Sequence, residues 1–332
     1  MNIGLILPQG FFNEFEGWPA DRAWQRMLAV AQLAERLGFD SLWTGEHVLA
    51  RWGGTSPAFD CFTIGTALAA AVPRVGIGFI VLNSTFRNPV LTAKAAATLD
   101  AISGGRLILG LGAGFIEAEA QALGTPFAPL PERLRMLEEH FAIVSHLTSA
   151  GRAPLSFEGR YARADGAVSH PHGVQHPHIP LLIGGHGPKF TYRIAARYCD
   201  EININVRPSQ MPQALEQLHA RCAEIDRDPA TLAVAASVLP TWPYRGLRST
   251  GGQRMSRQED LRAAGMMTDL ATLPSRAEEI AAWRDLGVAR LMCGIPGLAN
   301  TDETMYEFLE DCQAAGVGLA GSAGRGTGQA TT

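Results

Sequence analysis

"ADRAWQRMLAVAQLAERLGFDSLWTGEHV", residues 20–48, holds two periodicities in succession, and their order decides the fold. Trp24, Met27, Leu28, Ala31, Ala34 and Leu37 recur at helical spacing and form one apolar stripe, which Gly38 ends as a helix stop. "FDSLW" (39–43) is then short and largely apolar, as a buried strand is. Glu46 and His47 follow at once, an acid and an imidazole where a simple connection needs only turn residues.

The same alternation runs through the chain. Strand-length apolar runs occur at "NIGLIL" (2–7), "FDSLW" (39–43), "VGIGFIVL" (75–82), "RLILGL" (106–111), "IPLLIG" (179–184), "EININV" (201–206), "LAVAASVL" (232–239) and "VARLMCGI" (288–295), eight in all. Most are continuous rather than alternating, which implies burial on both faces and a parallel sheet. Eight strands separated by helical segments predict a closed (β/α)8 TIM barrel of the α/β class. An open doubly wound sheet is the alternative, but no G-x-G-x-x-G follows the first strand.

One domain is expected over residues 1–316, interrupted by insertions at 115–178 and 240–258 and followed by a flexible tail at 317–332. The first insertion carries the helical pattern "LPERLRMLEEHFAIVSHL" and an alternating stretch, "LSFEGRYARADGAV", that reads as a hairpin turning at Glu158-Gly159. The second is rich in Gly, Arg and Ser without periodicity; its Arg245, Arg248, Arg254 and Arg257 either close over a polyanionic ligand or face solvent, as loop arginines usually do.

Composition narrows the classes of function. The 332 residues are 46% hydrophobic with a formal charge of −4, which provides a large core and no basic stripe for nucleic acid. Five scattered cysteines without a C-x-x-C pair fit free thiols in a reducing cytoplasm. "MNIGLILPQG" reads as a first strand and not as a signal peptide, and no stretch of ~20 apolar residues spans a bilayer. A soluble, cytoplasmic protein with a small-molecule substrate is the expectation.

In a parallel barrel the chemistry lies at the carboxyl ends of the strands. Past strand 1 stand Gln9 and Gly10, past strand 2 Glu46 and His47, past strand 3 "NSTFRNP", past strand 4 "GAGFIE" and past strand 5 "GGHG". His47 is therefore expected at the barrel mouth, where an imidazole passes protons near neutral pH. Taken by residue type alone, it is equally a structural histidine. Gly112, Ala113 and Gly114 offer main-chain N–H groups that can approach a flat ligand closely. Gly184, Gly185, His186 and Gly187, ahead of a helix start, form a phosphate cradle or simply a tight turn. Glu117 falls at a helix N-terminus, where the dipole favours a carboxylate in any case. The cluster "HPHGVQHPH" (His170, His172, His176, His178) lacks a regular face and a usual ligand spacing, so no metal is expected there.

"IGLILPQG", "GFDSLWTGEHV", "VLNSTFRNPVLTAKAAATLDAISGGRLILGLGAGFIEAEAQALG" and "PHGVQHPHIPLLIGGHGPKFTYRIAARYCDE", in this order, resemble the luciferase-like monooxygenase superfamily, and within it the branch that uses the deazaflavin coenzyme F420. The resemblance covers residues 2–240 strongly. It implies a barrel that holds a flavin or deazaflavin ring at its mouth, usually as a homodimer. It further implies that His47 handles the proton accompanying hydride transfer, and that Glu46 contacts the ring or sets the histidine's charge. A non-proline cis peptide at Ile80-Val81 would form a bulge under the ring, with Asn83 and Thr85 in reach of its polar edge. Gln9, Phe115 and Glu117 would line the substrate side. Some relatives keep an acid where Phe115 stands, so the proton donor is open. The expected function is hydride transfer between F420 and a small organic substrate. The alternatives are an FMN-dependent monooxygenase that uses oxygen, a flavin-binding protein without turnover, and a metal-dependent hydrolase.

Overall fold

In the computed structural model, which describes residues 1–238 and 274–319, all eight apolar runs form parallel strands of one closed ring. In chain order the elements are β1 (Asn2–Ile6), α1 (Ala20–Leu37), β2 (Ser41–Thr44), α2 (Cys61–Ala71), β3 (Gly76–Phe79), β4 (Leu82–Asn83), α3 (Pro89–Ser103) and β5 (Leu107–Gly112). There follow α4 (Glu117–Ala122), α5 (Leu130–Leu147), β6 (Leu155–Glu158), β7 (Arg163–Ala167), β8 (Leu181–Gly184) and α6 (Thr191–Tyr198). The last are β9 (Glu201–Asn203), α7 (Met211–Ala223), β10 (Ala233–Val238), α8 (Arg276–Asp285), β11 (Arg290–Gly294) and α9 (Glu303–Ala314). The ring runs β1-β2-β3-β5-β8-β9-β10-β11; β11 pairs back onto β1, and Ile77 and Gly78 of β3 pair with Leu107 and Ile108 of β5. β4 continues β3 beyond a break and pairs with the end of β5.

The interior of the ring is filled from below. Trp43 of β2 is fully buried with Leu182, Ala235 and Met292, and its Nε1 donates to Ser41 Oγ at 2.7 Å. Its indole fits because both flanking strands carry glycine opposite it. A Cβ on Gly4 would lie 2.4 Å from Nε1, and one on Gly78 2.3 Å from Cζ3. At the amino ends of the strands, Arg290 is bonded to Asp40 at 2.9 Å and to Glu201, and its guanidinium lies 5.5 Å from the Trp43 ring. The barrel is therefore a packed core closed at this end.

The outer helices follow their local signals. Asp60 caps α2 by accepting from Thr63 N at 2.8 Å, and Asn88 caps α3 by accepting from Val90 N at 2.9 Å, with Pro89 as first residue. α1 stops at Gly38, whose φ of 90° is left-handed. The buried stripe of α1 is centred on Ala23, Met27, Val30, Ala31 and Ala34, and Trp24, Leu28 and Leu37 lie half-buried at its edge. Within the first expected insertion, α5 packs against α3 and α6 as an ordinary member of the helix ring. The hairpin is β6–β7, with its turn at 159–162 held by Glu139 of α5, which accepts from the N–H groups of Arg160, Tyr161 and Ala162. The expected insertion at 240–258, with its arginines, lies outside the described residues, as does the tail from residue 320. All five cysteines are free and buried. No helix among the described residues is long and apolar enough to cross a membrane.

Candidate active site

The mouth is organised around the segment that leaves β2. Gln9, just past β1, is buried, and its amide brackets Gly45: Oε1 accepts from Gly45 N at 2.9 Å, and Nε2 donates to Gly45 O at 2.7 Å and to Phe59 O at 3.0 Å. Expected on the substrate side, Gln9 instead has its amide committed to positioning this loop. The neighbouring Glu46 is also buried; Oε2 accepts from Asn83 N at 2.6 Å and Oε1 from Arg87 Nε at 2.6 Å. Burial raises its carboxyl above the usual range, against the opposing pull of Arg87. Arg87 also reaches Asp60 at 3.2 Å. Glu46 thus does not set the charge of His47 by contact; its oxygens are engaged elsewhere.

The carboxylate that meets His47 is Glu119 of α4, a residue that sequence reasoning passed over. Nδ1 of His47 lies 3.2 Å from Glu119 Oε2 and 3.3 Å from Oε1. Glu119 is 3% exposed and also accepts from Val48 N at 2.8 Å and from Leu49 N at 3.4 Å. Burial alone would raise its carboxyl, but the bonds from His47 and these N–H groups outweigh it and hold it below the usual range. The imidazole stacks on Phe11 with centroids 3.4 Å apart and planes within 9°, and meets the edge of Phe115 at 6.1 Å. The one signal available in sequence was the pair Glu117 and Glu119. Two residues apart on a helix, they face different ways, and Glu117 is the exposed one, accepting from Gln121 Nε2 at 3.4 Å.

The peptide between Ile80 and Val81 is cis and separates β3 from β4. Ile80 N donates to Thr44 O at 2.8 Å, and Val81 O accepts from Glu46 N at 3.2 Å, so the break is tied to the β2 loop. Val81 lies over the ends of β5 and β8: a Cβ on Gly112 would be 2.5 Å from its Cγ2, and one on Gly184 3.1 Å from its Cγ1. Gly114 stands so close to Asn83 that a Cβ would be 2.4 Å from Nδ2. These glycines therefore make room for Val81 and Asn83. Asn83 Oδ1 accepts from Thr85 N at 3.0 Å and Thr85 Oγ1 at 2.8 Å, and Nδ2 has no bonded partner among the described residues. Arg133 of α5 bonds the carbonyls of Ala113, at 3.3 Å, and Gly114, which fixes the turn leading to Phe115. Phe115 is 69% exposed at the rim.

Across the mouth, Gly185 N donates to Asn203 O at 2.9 Å, and the turn runs through His186 and Gly187 into α6, whose first N–H groups have no side-chain cap. An apolar bulge, an amide N–H donor beside it and uncapped helix N–H groups fit a planar heterocycle with a polar edge and an anionic tail.

The metal possibilities resolve differently. Glu46, Asp60 and Cys61 bring ligand atoms within 4.8 Å of one another, but Arg87 is bonded to both carboxylates, so the cation here is the protein's own. His170 and His172 meet edge to face at 4.7 Å beside a cavity of about 150 Å³, and His178 pairs with Asp200 at 2.9 Å.

Known proteins share this architecture. The sequence profile of luciferase-like monooxygenases matches residues 1–243. The chain is 35% identical over 178 residues to an F420-dependent glucose-6-phosphate dehydrogenase of Microbacterium testaceum, which covers 52% of this chain and 50% of the relative. It thus spans about half the length of the curated relatives it matches. Among solved structures, a monooxygenase from Streptomyces bottropensis superposes with a TM-score of 0.73 at 23% identity, over 93% of this chain and 99% of the other. An F420-dependent secondary alcohol dehydrogenase in complex with an F420-acetone adduct gives 0.72 at 20% identity, over 93% and 98%.

Proposed function

The chain belongs to the luciferase-like monooxygenase family, and from that premise we propose that it is a cytoplasmic, homodimeric oxidoreductase that transfers a hydride between coenzyme F420 and a small organic substrate. The observation that carries the reading is the imidazole of His47, held at the barrel mouth by a buried carboxylate and bordering the Ile80-Val81 bulge through Gly45. Support for F420 over FMN comes from the curated relatives, several of which are F420-dependent enzymes by name.

When bound, F420 supplies a two-electron hydride acceptor or donor. The residues of this chain do the rest. Ile80 and Val81 offer the apolar support for the ring, and Asn83 Nδ2 offers a donor to its polar edge. The N–H groups of His186 and Gly187 and of the start of α6 meet the anionic tail. A substrate that gives up a hydride from carbon also gives up a proton from the attached heteroatom. Nε2 of His47 takes that proton, and in the reverse direction it returns it. Phe11 and Phe115 shield the imidazole from water.

Titration of the purified protein with F420 and with FMN, followed by coenzyme fluorescence, tests the assignment. The expected result is saturable F420 binding, with His47→Ala retaining affinity while losing turnover. Tight binding of FMN alone, with oxygen consumption on reduction, would overturn it in favour of a monooxygenase.

A further inference from the structure

We infer that Glu119 is the positioning residue of the reaction: it fixes His47 in the tautomer that presents Nε2 to the substrate and offsets the charge when that nitrogen is protonated. The inference rests on the proposed role of His47 and adds the group that makes the role workable.

An ionised carboxylate only accepts hydrogen bonds, so Nδ1, 3.2 Å from Glu119 Oε2, must be the nitrogen that carries the proton. Nε2 is then left with a lone pair. The carboxylate cannot swing away, because Val48 N and Leu49 N hold Oε1 from the β2 loop, the same loop that carries the histidine. The ring cannot rotate freely either, with Phe11 parallel to it at 3.4 Å. When Nε2 accepts a proton, the resulting imidazolium lies against a buried negative charge, where attraction is much less screened than in water.

Among the described residues no other carboxylate of the neighbourhood serves. Glu46 is bonded to Arg87 and Asn83 N; Glu14 is bonded to the N–H groups of Phe12 at 2.8 Å and Gln9 at 3.4 Å; Glu117 faces outward. The nearby cation, Arg51, sits over the Phe11 ring at 5.6 Å. Phe115 stands where some relatives keep an acid, so among the described residues proton exchange falls to the His47–Glu119 pair.

The test reads the tautomer and the turnover in turn. The first readout is the ring-nitrogen spectrum of ¹⁵N-histidine-labelled protein without coenzyme, at a pH where the imidazole is neutral. Wild type is expected to show His47 protonated at Nδ1. In Glu119→Gln the single amide oxygen is claimed by Val48 N, so the amide NH2 faces Nδ1 and the proton is expected on Nε2, whereas Glu119→Ala gives a mixture of both. The second readout is kcat/KM with F420 across pH. Glu119→Ala is expected to lose about 10- to 100-fold. In Glu119→Gln kcat/KM also falls, because the imidazolium formed on proton uptake no longer has an opposite charge beside it. F420 affinity is expected to stay unchanged in both. A wild-type spectrum with the proton on Nε2 overturns the inference, as does a Glu119→Gln profile that matches wild type. Failure of wild type to bind F420 overturns the coenzyme assignment instead, and leaves the spectrum of the coenzyme-free protein to decide the tautomer.

Discussion

His140, on the inner face of α5, is 3% exposed and its Nε2 has no hydrogen-bond partner among the described residues. Burial first, and the charge of Arg87 second, push its titration down to about 4 from the ordinary 6.5. The sign follows from which state binds the proton. Between pH 6.5 and 4 the unfolded chain takes up a proton at this residue that the folded chain refuses, so the folded state loses stability as the medium is acidified through that window. Above 6.5 the contribution is fully present, and below 4 no further change arises from this group. The gap amounts to about 3 kcal/mol. His140→Leu, of similar bulk and without a proton to take up, is expected to be as stable as wild type or more so at pH 7. It should also show an acid limb shallower by up to about 3 kcal/mol in urea unfolding across pH. Parallel limbs for the two proteins would show that His140 is not the residue that titrates. The same physics explains why the role of a residue like this escaped the sequence: "EEHFAIV" reads as a polar edge of a helix, and only packing reveals which of its residues faces inward.

Arg87 joins four elements through one guanidinium. It meets Glu46 at the end of β2 and Asp60 at the cap of α2, it precedes α3, and Glu46 in turn holds the N–H of Asn83 in β4. Removing the cation would leave Glu46 buried, ionisable and unpaired. Arg87→Met is therefore expected to cost about 3–5 kcal/mol in denaturant unfolding at pH 7. Adding Glu46→Gln should return a large part of that loss, because a neutral amide can still accept from Asn83 N. A double variant no more stable than the single one would mean that Arg87 acts by packing against Phe62, 4.8 Å away, rather than by pairing. Elements were legible in the sequence to the degree that burial was symmetric. The eight runs are apolar on both faces, and each became a strand. The break after Phe79 carries no compositional mark, since "GFIVL" is as apolar as its neighbours; the resemblance to the family placed it. Glu119 was not legible because α4, with six residues, is too short to display an apolar period. Trp43 and its two opposing glycines show the same limit, because contacts across strands have no fixed spacing along the chain.

At the scale of the whole molecule, the residues assigned to the mouth lie in the loops past the strands, and the barrel's outer wall offers a surface of a different kind. α3 presents Leu91, 68% exposed, and Ile102, 47% exposed, with half-buried Ala95 and exposed Thr98 between them at helical spacing along one face. Scattered apolar residues on a surface need no explanation, but two large ones on one ridge, separated by small side chains, suit the close approach of a second helix. Two-fold pairing of α3 against its copy would bury the ridge without touching His47, Glu119 or the 184–187 turn. Sedimentation velocity at micromolar concentration is expected to give a dimer for wild type and a monomer for the double variant Leu91→Glu, Ile102→Glu, since four buried carboxylates at a symmetric contact repel and lose hydration. Because every residue assigned to the mouth comes from one chain, the monomer should bind F420 with wild-type affinity. A wild-type monomer, or a dimer that survives both substitutions, would move the contact away from α3. A monomer that has lost F420 would instead show that the partner subunit completes the site.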